Sequence, residues 1–99
     1  MIYSPNPIPT DSVKLSDDLL ELSELLAKNS HEVWAKMRMD EGWSFGVERN
    51  DEKMEHPCLV PYEELPESEK NYDRGISTEI LKLIVSLGYE IKKPITTNP

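Results

Sequence analysis

Cysteine is nearly absent from this sequence, since Cys58 is the single one in 99 residues. An intramolecular disulfide therefore cannot form, and nothing favours a secreted scaffold held by disulfides. The chain also lacks any apolar run approaching the roughly 20 residues that a membrane-spanning helix needs. Its first residues lack the basic and apolar regions of a signal peptide. We therefore expect a cytoplasmic protein with one hydrophobic core.

Basic side chains are also scarce, because 11 Lys and Arg face 19 Asp and Glu, for a net charge of −8. Such an acidic surface repels a phosphate backbone, whereas binding to nucleic acid polymers rests on many Lys and Arg contacts. Recruitment to an anionic membrane surface is disfavoured for the same reason. The composition thus argues against a nucleic acid polymer and against a membrane as partners. A single small anion needs only a local cluster of donors and stays compatible with this charge.

Prolines divide the chain into an arm and a domain. Alternate positions near the start are occupied by Pro5, Pro7 and Pro9. Each proline fixes its own φ and favours an extended conformation in the residue before it, which predicts an extended arm over residues 1–9. No motif occurs twice, so residues 10–92 are predicted to form one domain, not an array of repeats. A polar tail is predicted over residues 93–99.

The proline-free stretch after the arm has helical periodicity. Ser16 is followed by Asp17 and Asp18, which is typical of a helix start with a capping hydroxyl and acids in the first turn. Gly42 suits the position just after a helix. The pair Asn29-Ser30 leaves two alternatives open, namely two helices or one long helix that reaches about Glu41. The apolar stripe of this region consists of Leu15, Leu19, Leu22, Leu26, Val33 and Met37.

Two short apolar segments follow and predict a small β element. Trp43, Phe45 and Val47 alternate with small residues, which is the period of a strand. Residues 58–60 form a second apolar run between two prolines, which suits an edge strand. We therefore predict a short two-stranded β hairpin packed on the helices.

The last third of the sequence predicts another helix. Pro66 suits its first turn and Gly88 its end, while Gly75 is a candidate interruption. Helical spacing relates Tyr72, Ile76, Ile80, Leu83 and Leu87. The predicted fold class is mainly α with a small β element (α+β). Its predicted core combines the helical stripes at Leu19, Leu22, Leu26, Val33, Ile80, Leu83 and Leu87.

Several segments of unusual composition resemble the repeat domain of ryanodine receptors. They occur in the same order and spacing over about residues 7–91, which is most of the chain. The segments are residues 7–11 (PIPTD), 26–34 (LAKNSHEVW), 41–46 (EGWSFG), 56–62 (HPCLVPY), 65–73 (LPESEKNYD) and 87–89 (LGY).

The resemblance implies a binding or assembly module. In the receptors, such repeats occur as tandem pairs in the cytosolic assembly and form no part of the pore. Paired repeats are associated there with adenine-nucleotide-type ligands near the tryptophan that corresponds to Trp34. This chain lacks the long insertion that carries phosphorylation sites in the receptors. With one repeat only, it could recover the burial of a tandem pair through a symmetric homodimer.

Aromatic and basic residues supply the candidate ligand-binding residues. Trp34, Trp43 and Tyr72 could line a cleft that stacks a planar ring. Arg38 lies four residues after Trp34 on the same helical face, and Arg49 follows the aromatic strand, so both could bind an anionic group. The alternative is that the aromatics pack the core and that both arginines pair with neighbouring acids.

Catalytic and metal chemistry have little support in the sequence. His56 and Cys58 form a loose pair without the four-ligand spacing of a zinc site, and His31 is expected to hold a helix end or a loop. No nucleophile elbow, phosphate loop or dinucleotide fingerprint is present. We therefore expect no metal, no cofactor and no enzymatic activity. The leading hypothesis is a sensor module for a small planar, nucleotide-like ligand, and the alternative is a protein-interaction or assembly domain without one.

Overall fold

The computed structural model describes residues 2–94, and its elements confirm the predicted fold class of mainly α with a small β element. Two long helices account for most of the regular structure. A minimal sheet and one 3-10 turn connect them. In chain order the elements are α1 (Asp17–Asp40), β1 (Ser44–Phe45), β2 (Glu55–His56), the 3-10 turn (Tyr62–Glu64) and α2 (Glu67–Ser86).

Helix α1 is one continuous helix of 24 residues, which settles the alternatives left open at Asn29-Ser30. The Leu19 backbone N–H donates to Ser16 Oγ over 3.3 Å, so the predicted cap is confirmed. Asn and Ser lower helix stability by only a fraction of a kcal/mol each, about 0.5, so a long helix with a packed face tolerates both. Gly42 follows the helix with φ of +102°, a conformation that favours glycine.

The predicted hairpin was wrong, because β1 and β2 pair in parallel, with Ser44 opposite Glu55 and Phe45 opposite His56. Asn50 and Glu55 exchange two backbone hydrogen bonds of 2.9 Å, so the chain reverses direction a second time within residues 50–55. Two reversals bring β2 back to the direction of β1. Residues 58–60, predicted as the second strand, form no strand.

The helices cross at small side chains. Ser23 and Ala27 of α1 are buried, and so is Ser77 of α2. The Ser23 and Ser77 hydroxyl oxygens lie 2.8 Å apart, and Ser77 Oγ also donates to the Ser23 carbonyl over 2.9 Å. Short side chains let two helix backbones approach closely. The crossing therefore depends on serine and alanine, which a search for large apolar residues does not detect.

The predicted core was wrong at three positions, because Val33, Ile80 and Leu87 are exposed. The other four predicted residues are half-buried. The segment after β2 packs on α1 instead and contributes Tyr62 and Leu65 to the core. Both helices therefore keep apolar residues exposed on the side that is not covered. The buried apolar residues are Leu15, Ala27, Ala35, Leu59, Tyr62, Leu65 and Leu81.

Helix α2 runs through Gly75 without interruption and ends before Gly88, whose φ is +97°. Residues 2–9 have no regular secondary structure and are exposed. Thr10 closes this arm, because its buried hydroxyl donates to Glu79 Oε2 over 2.8 Å. The division into arm, domain and tail stays a prediction, and residues 95–99 of the predicted tail lie outside the described residues. Within residues 2–94, no helix is long and apolar enough to span a membrane.

Candidate functional site

A cavity of about 300 Å³ lies between the second half of α1, the segment around β2 and the start of α2. We call this cavity, together with the adjoining Trp43 ring, the tryptophan site. Helix α1 supplies three of its residues at spacings of three and four, which places them on one helical face. The cavity is lined by His31, Trp34, Arg38, Arg49, His56, Cys58, Leu65, Glu69 and Asp73.

Aromatic rings surround the Arg38 guanidinium. The Arg38 Cζ atom lies 4.8 Å from the centroid of the Trp43 ring and 5.8 Å from the centroid of the Trp34 ring. The centroid of the His56 ring lies 5.1 Å from that of Trp34 and 6.3 Å from that of Trp43, edge-on in both cases. A cation over a tryptophan face is attracted by the ring quadrupole. The two tryptophans and His56 therefore hold the Arg38 charge at the edge of the cavity.

The short sheet positions this aromatic group. Trp43 immediately precedes β1, and His56 is the last residue of β2. Gly46 is buried beside β2, and a Cβ there would lie 2.5 Å from Glu55 Cβ. Only glycine therefore allows the two segments to approach this closely. Consequently the distance between Trp43 and His56 depends on a residue outside the cavity.

Positive charge lies on one wall of the site. Arg49 pairs with Asp51 over 2.8 Å, but both side chains are more than half exposed. Arg38 makes no ion pair among the residues that the structure describes. Exposed ion pairs contribute little free energy, so an incoming anion can displace the Asp51 carboxylate from Arg49. This wall thus offers two guanidinium groups to an anion.

His56 is held in its neutral form. Burial lowers the pKa of its imidazole from the usual 6.5, and the Arg49 and Arg38 charges lower that pKa further. The Cys58 backbone N–H donates to His56 Nδ1 over 3.0 Å, so Nδ1 carries no proton and Nε2 does. Protonation of Nδ1 would break this hydrogen bond. His56 is therefore a neutral donor at neutral pH and becomes a third cation only under acidic conditions.

Acidic groups of α2 also line the cavity. Glu69 and Asp73 are four residues apart and so lie on one face of the helix. Burial raises the pKa of the Asp73 carboxyl above its usual value, and the nearby Glu69 charge raises it further. These carboxylates can accept hydrogen bonds from amino groups. The site therefore combines arginines that can bind an anion, carboxylates that can accept hydrogen bonds and an aromatic surface.

Four of the five predicted ligand-binding residues lie together, and the fifth does not. Trp34, Arg38 and Arg49 line the cavity, and Trp43 stacks on Arg38. Tyr72 does not join this group, because it lines a different cavity on α2 and is 70% exposed. Helical spacing predicts which residues share a face of one helix, but it does not predict which cavity that face lines.

Sequence reasoning assigned no binding role to His56, Glu69 or Asp73. His56 was considered only together with Cys58 as a metal ligand, and Glu69 and Asp73 appeared only within the segment 65–73 that carries the family resemblance. The spacing of Glu69 and Asp73 was a signal, since acids four residues apart share a helical face. His31 holds a loop, as expected, by donating from Nε2 to the Val60 carbonyl over 2.7 Å.

Metal binding has no geometric support within residues 2–94, where no three His, Cys, Asp or Glu side chains are grouped to hold an ion. The histidine nitrogens described above are occupied by backbone groups. Cys58 is half-buried, and burial raises the pKa of its thiol, which disfavours the thiolate that binds metals.

Comparison with protein families confirms the resemblance seen in the sequence. The model of the RyR domain family matches residues 3–93. The match includes the arm, both helices and the segments that form the tryptophan site. Because it covers nearly the whole sequence, the chain belongs to the RyR domain family.

Proposed function

We propose that this RyR domain is a binding module for a small planar, anionic ligand, which enters the tryptophan site. The observation that carries the proposal is the Arg38 guanidinium beside two tryptophan rings, at 4.8 Å and 5.8 Å from their centroids. An arginine held this way presents a charge and a flat surface at the same point. A ligand with an aromatic ring and an acidic group matches both features.

The two parts of such a ligand have separate partners. Its ring stacks on Trp34 or on the Arg38 plane, and stacking of a base on an aromatic side chain is worth about 1–3 kcal/mol. Its anionic group bonds to Arg38 and Arg49, and such charge-assisted hydrogen bonds are about twice as strong as neutral ones. Arg49 exchanges its exposed Asp51 partner for the ligand.

The acidic residues of α2 narrow the ligand class further. Glu69 and Asp73 line the same cavity as the two arginines, and they can accept hydrogen bonds from a ring amino group. A nucleotide carries such an amino group at one end and phosphate at the other. The cavity of about 300 Å³ is at the lower end of ligand pockets. Mono- and diphosphates therefore fit the proposal better than long polyphosphates, which the net charge of −8 also repels.

Binding without catalysis, in the cytoplasm, completes the proposal. His56 Nδ1 is occupied by the Cys58 backbone N–H, which removes the obvious general base from the site. The free Cys58 thiol is compatible with a reducing compartment. The alternative, an interaction domain without a small ligand, has support of its own in an exposed apolar face of α2 that is described below.

Calorimetric titration of adenosine monophosphate and diphosphate tests the proposal. We expect saturable binding, a shift in tryptophan fluorescence and a rise in melting temperature by mass action. Uncharged adenosine should bind at least about tenfold more weakly, a difference of about 1.4 kcal/mol that one lost charge contact explains. No heat and no thermal shift at millimolar nucleotide would eliminate the nucleotide version.

Matched charge variants show whether the tryptophan site is responsible. Arg38→Gln and Lys36→Gln each remove one positive charge from the same turn of α1, on different faces of the helix. Lys36 pairs with Asp40 on the exposed face and lies outside the tryptophan site. We expect Arg38→Gln to weaken nucleotide binding at least about tenfold and Lys36→Gln to leave it unchanged. Equal losses in both variants would mean that the ligand senses only overall charge.

A further inference from the structure

Helix α2 has two apolar faces, and α1 covers only one of them. Leu81 and Ser77 face α1 and are 3% and 4% exposed. On a neighbouring face, about 100° round the helix, Ile76 and Ile80 are 62% and 52% exposed. Helices that are apolar on both faces are normally buried on both. The complete outer stripe consists of Tyr72, Ile76, Ile80, Leu83 and Leu87.

The arm extends this stripe into a groove, which we call the outer groove. Pro7 and Ile8 form one wall and the stripe of α2 forms the other, around a cavity of about 600 Å³. The hydrogen bond from Thr10 to Glu79 fixes the end of the arm beside the helix. Ile8 is itself 61% exposed, so the arm does not fill the groove.

Gly75 lies in this groove without any role inside the chain. It occupies the interior of α2, where glycine is less favourable than alanine because it loses more backbone freedom on folding. A Cβ at this position would have no atom within 4 Å. Glycine at a helix surface lets another backbone approach closely. Its position beside the stripe marks where a partner could come nearest.

The exposed area is large enough for a specific interface. At the exposures quoted, the stripe and Ile8 present on the order of 600 Å² of apolar surface, the upper end of the largest patch on a typical monomer. If two copies cover each other, about 1,200 Å² is buried in total, which reaches the lower bound of stable specific interfaces.

Charge along α2 favours a second copy in antiparallel orientation. The start of the helix is acidic, with Glu64, Glu67 and Glu69. Its end is weakly basic, because Lys82, Lys92 and Lys93 outnumber the acids Glu79 and Glu90 there, although Glu90 pairs with Lys92 over 3.3 Å. Antiparallel pairing places the acidic end of each copy beside the basic end of the other, and it also aligns the helix dipoles favourably. Parallel pairing would place like charges together.

We propose that the outer groove is a homodimer interface, in which two copies of this chain pack their α2 helices antiparallel about a two-fold axis near Ile80. The stripe is then buried by its own copy, and Gly75 allows the close approach. This proposal does not rest on ligand binding, because the tryptophan site lies on other residues of α2 and on the second half of α1, which does not line the outer groove.

Light scattering at tens of micromolar protein tests the interface. The wild type should have twice the mass of one chain, and Gly75→Gln should have the mass of a single chain. Gln is the better helix former and meets only open space, so this variant should be at least as thermally stable as a wild-type monomer. As a control, Leu25→Gln changes an exposed apolar residue of α1 and should remain dimeric. A monomeric wild type, or a dimeric Gly75→Gln, would overturn the proposal.

Disulfide trapping tests the orientation in a Cys58→Ser background. Ile80→Cys, near the proposed axis, should form a disulfide with its own copy, whereas Leu87→Cys should not. Mixed Tyr72→Cys and Leu87→Cys chains should crosslink to each other. Efficient self-crosslinking of Leu87→Cys would show parallel pairing and contradict the antiparallel arrangement.

Discussion

The tryptophan site and the outer groove both border the first half of α2, yet their surfaces differ in kind. The tryptophan site is lined by arginines of α1 and the loop after β1 and by carboxylates of α2, around about 300 Å³. The outer groove is lined almost entirely by apolar side chains around about 600 Å³. Charged walls recognise a small ligand through directional bonds, whereas an apolar face gains free energy in proportion to the area covered. One helix thus carries two surfaces that suit partners of different size.

The largest expected effect is a loss of stability on substitution of a core residue of α2, compared with a residue of the outer groove. Leu81→Ala should lower the free energy of unfolding by about 2–5 kcal/mol, because Leu81 is buried against α1. Ile80→Ala should change it by less than about 0.5 kcal/mol in dilute protein, since Ile80 is a surface residue of the monomer. Urea unfolding at submicromolar protein measures both. Similar losses in the two variants would mean that the outer groove is part of the core.

Substitution of Gly46 is expected to cause the next largest loss of stability, and it tests whether the sheet positions the tryptophan site. Gly46→Ala should destabilise the fold by about 1–3 kcal/mol, because its Cβ would lie 2.5 Å from Glu55 Cβ. Trp43 and His56 flank this contact, so tryptophan fluorescence should change as well. Gly75→Ala is the matched control and should stabilise the monomer by about 0.5–1 kcal/mol. A neutral Gly46→Ala would show that the sheet does not constrain the site.

The smallest expected effect is a pH dependence that distinguishes the two surfaces. Since the folded pKa of His56 is below 6.5, the unfolded chain takes up this proton first, and the His56 contribution to stability is lost as pH falls below 6.5 through the folded pKa. An anionic ligand favours the protonated imidazole. Nucleotide affinity should therefore rise about tenfold in the same window, which corresponds to about 1.4 kcal/mol.

The control for this measurement is His56→Gln, which should bind nucleotide without that increase. Any remaining change then comes from the phosphate group of the ligand, which itself titrates near pH 6. Self-association through the outer groove should stay constant, because no histidine lines it. An affinity that falls as the pH is lowered, to the same extent in the wild type and in His56→Gln, would show that His56 does not face the bound anion.

Helix ends were predictable because their causes are local. Ser16 caps α1 through one hydrogen bond within its own turn, and Gly42 and Gly88 adopt the positive φ that follows a helix. The pairing of strands was not predictable in the same way. Its direction depends on how often the chain reverses between β1 and β2, and the second reversal arises from the Asn50–Glu55 bridge. Turn-forming residues in the intervening segment indicate a reversal but not the number of reversals.

The candidate site shows the same limit. Trp34 and Arg38 could be grouped from sequence because one helical turn relates them, and Trp43 because it begins the next strand that the sequence predicts. Glu69 and Asp73 reach the site from a helix about 35 residues later, and only the packing of α2 on α1 brings them there. Tyr72 precedes Asp73 on α2 but lines the outer groove instead of the tryptophan site. Successive residues of a helix are rotated by about 100°, so the two side chains lie on different faces.

The outer ends of the helices, the lack of an intramolecular disulfide and the membership in the RyR domain family follow from the sequence alone, because they depend on local sterics, on composition or on motif order. Which apolar stripe is buried depends on the tertiary structure. The helices cross at Ser23, Ala27 and Ser77, and that close contact directs Leu81 inward and Ile80 outward. Both residues have the same hydrophobicity in the sequence, so their burial depends on which face of α2 the crossing selects.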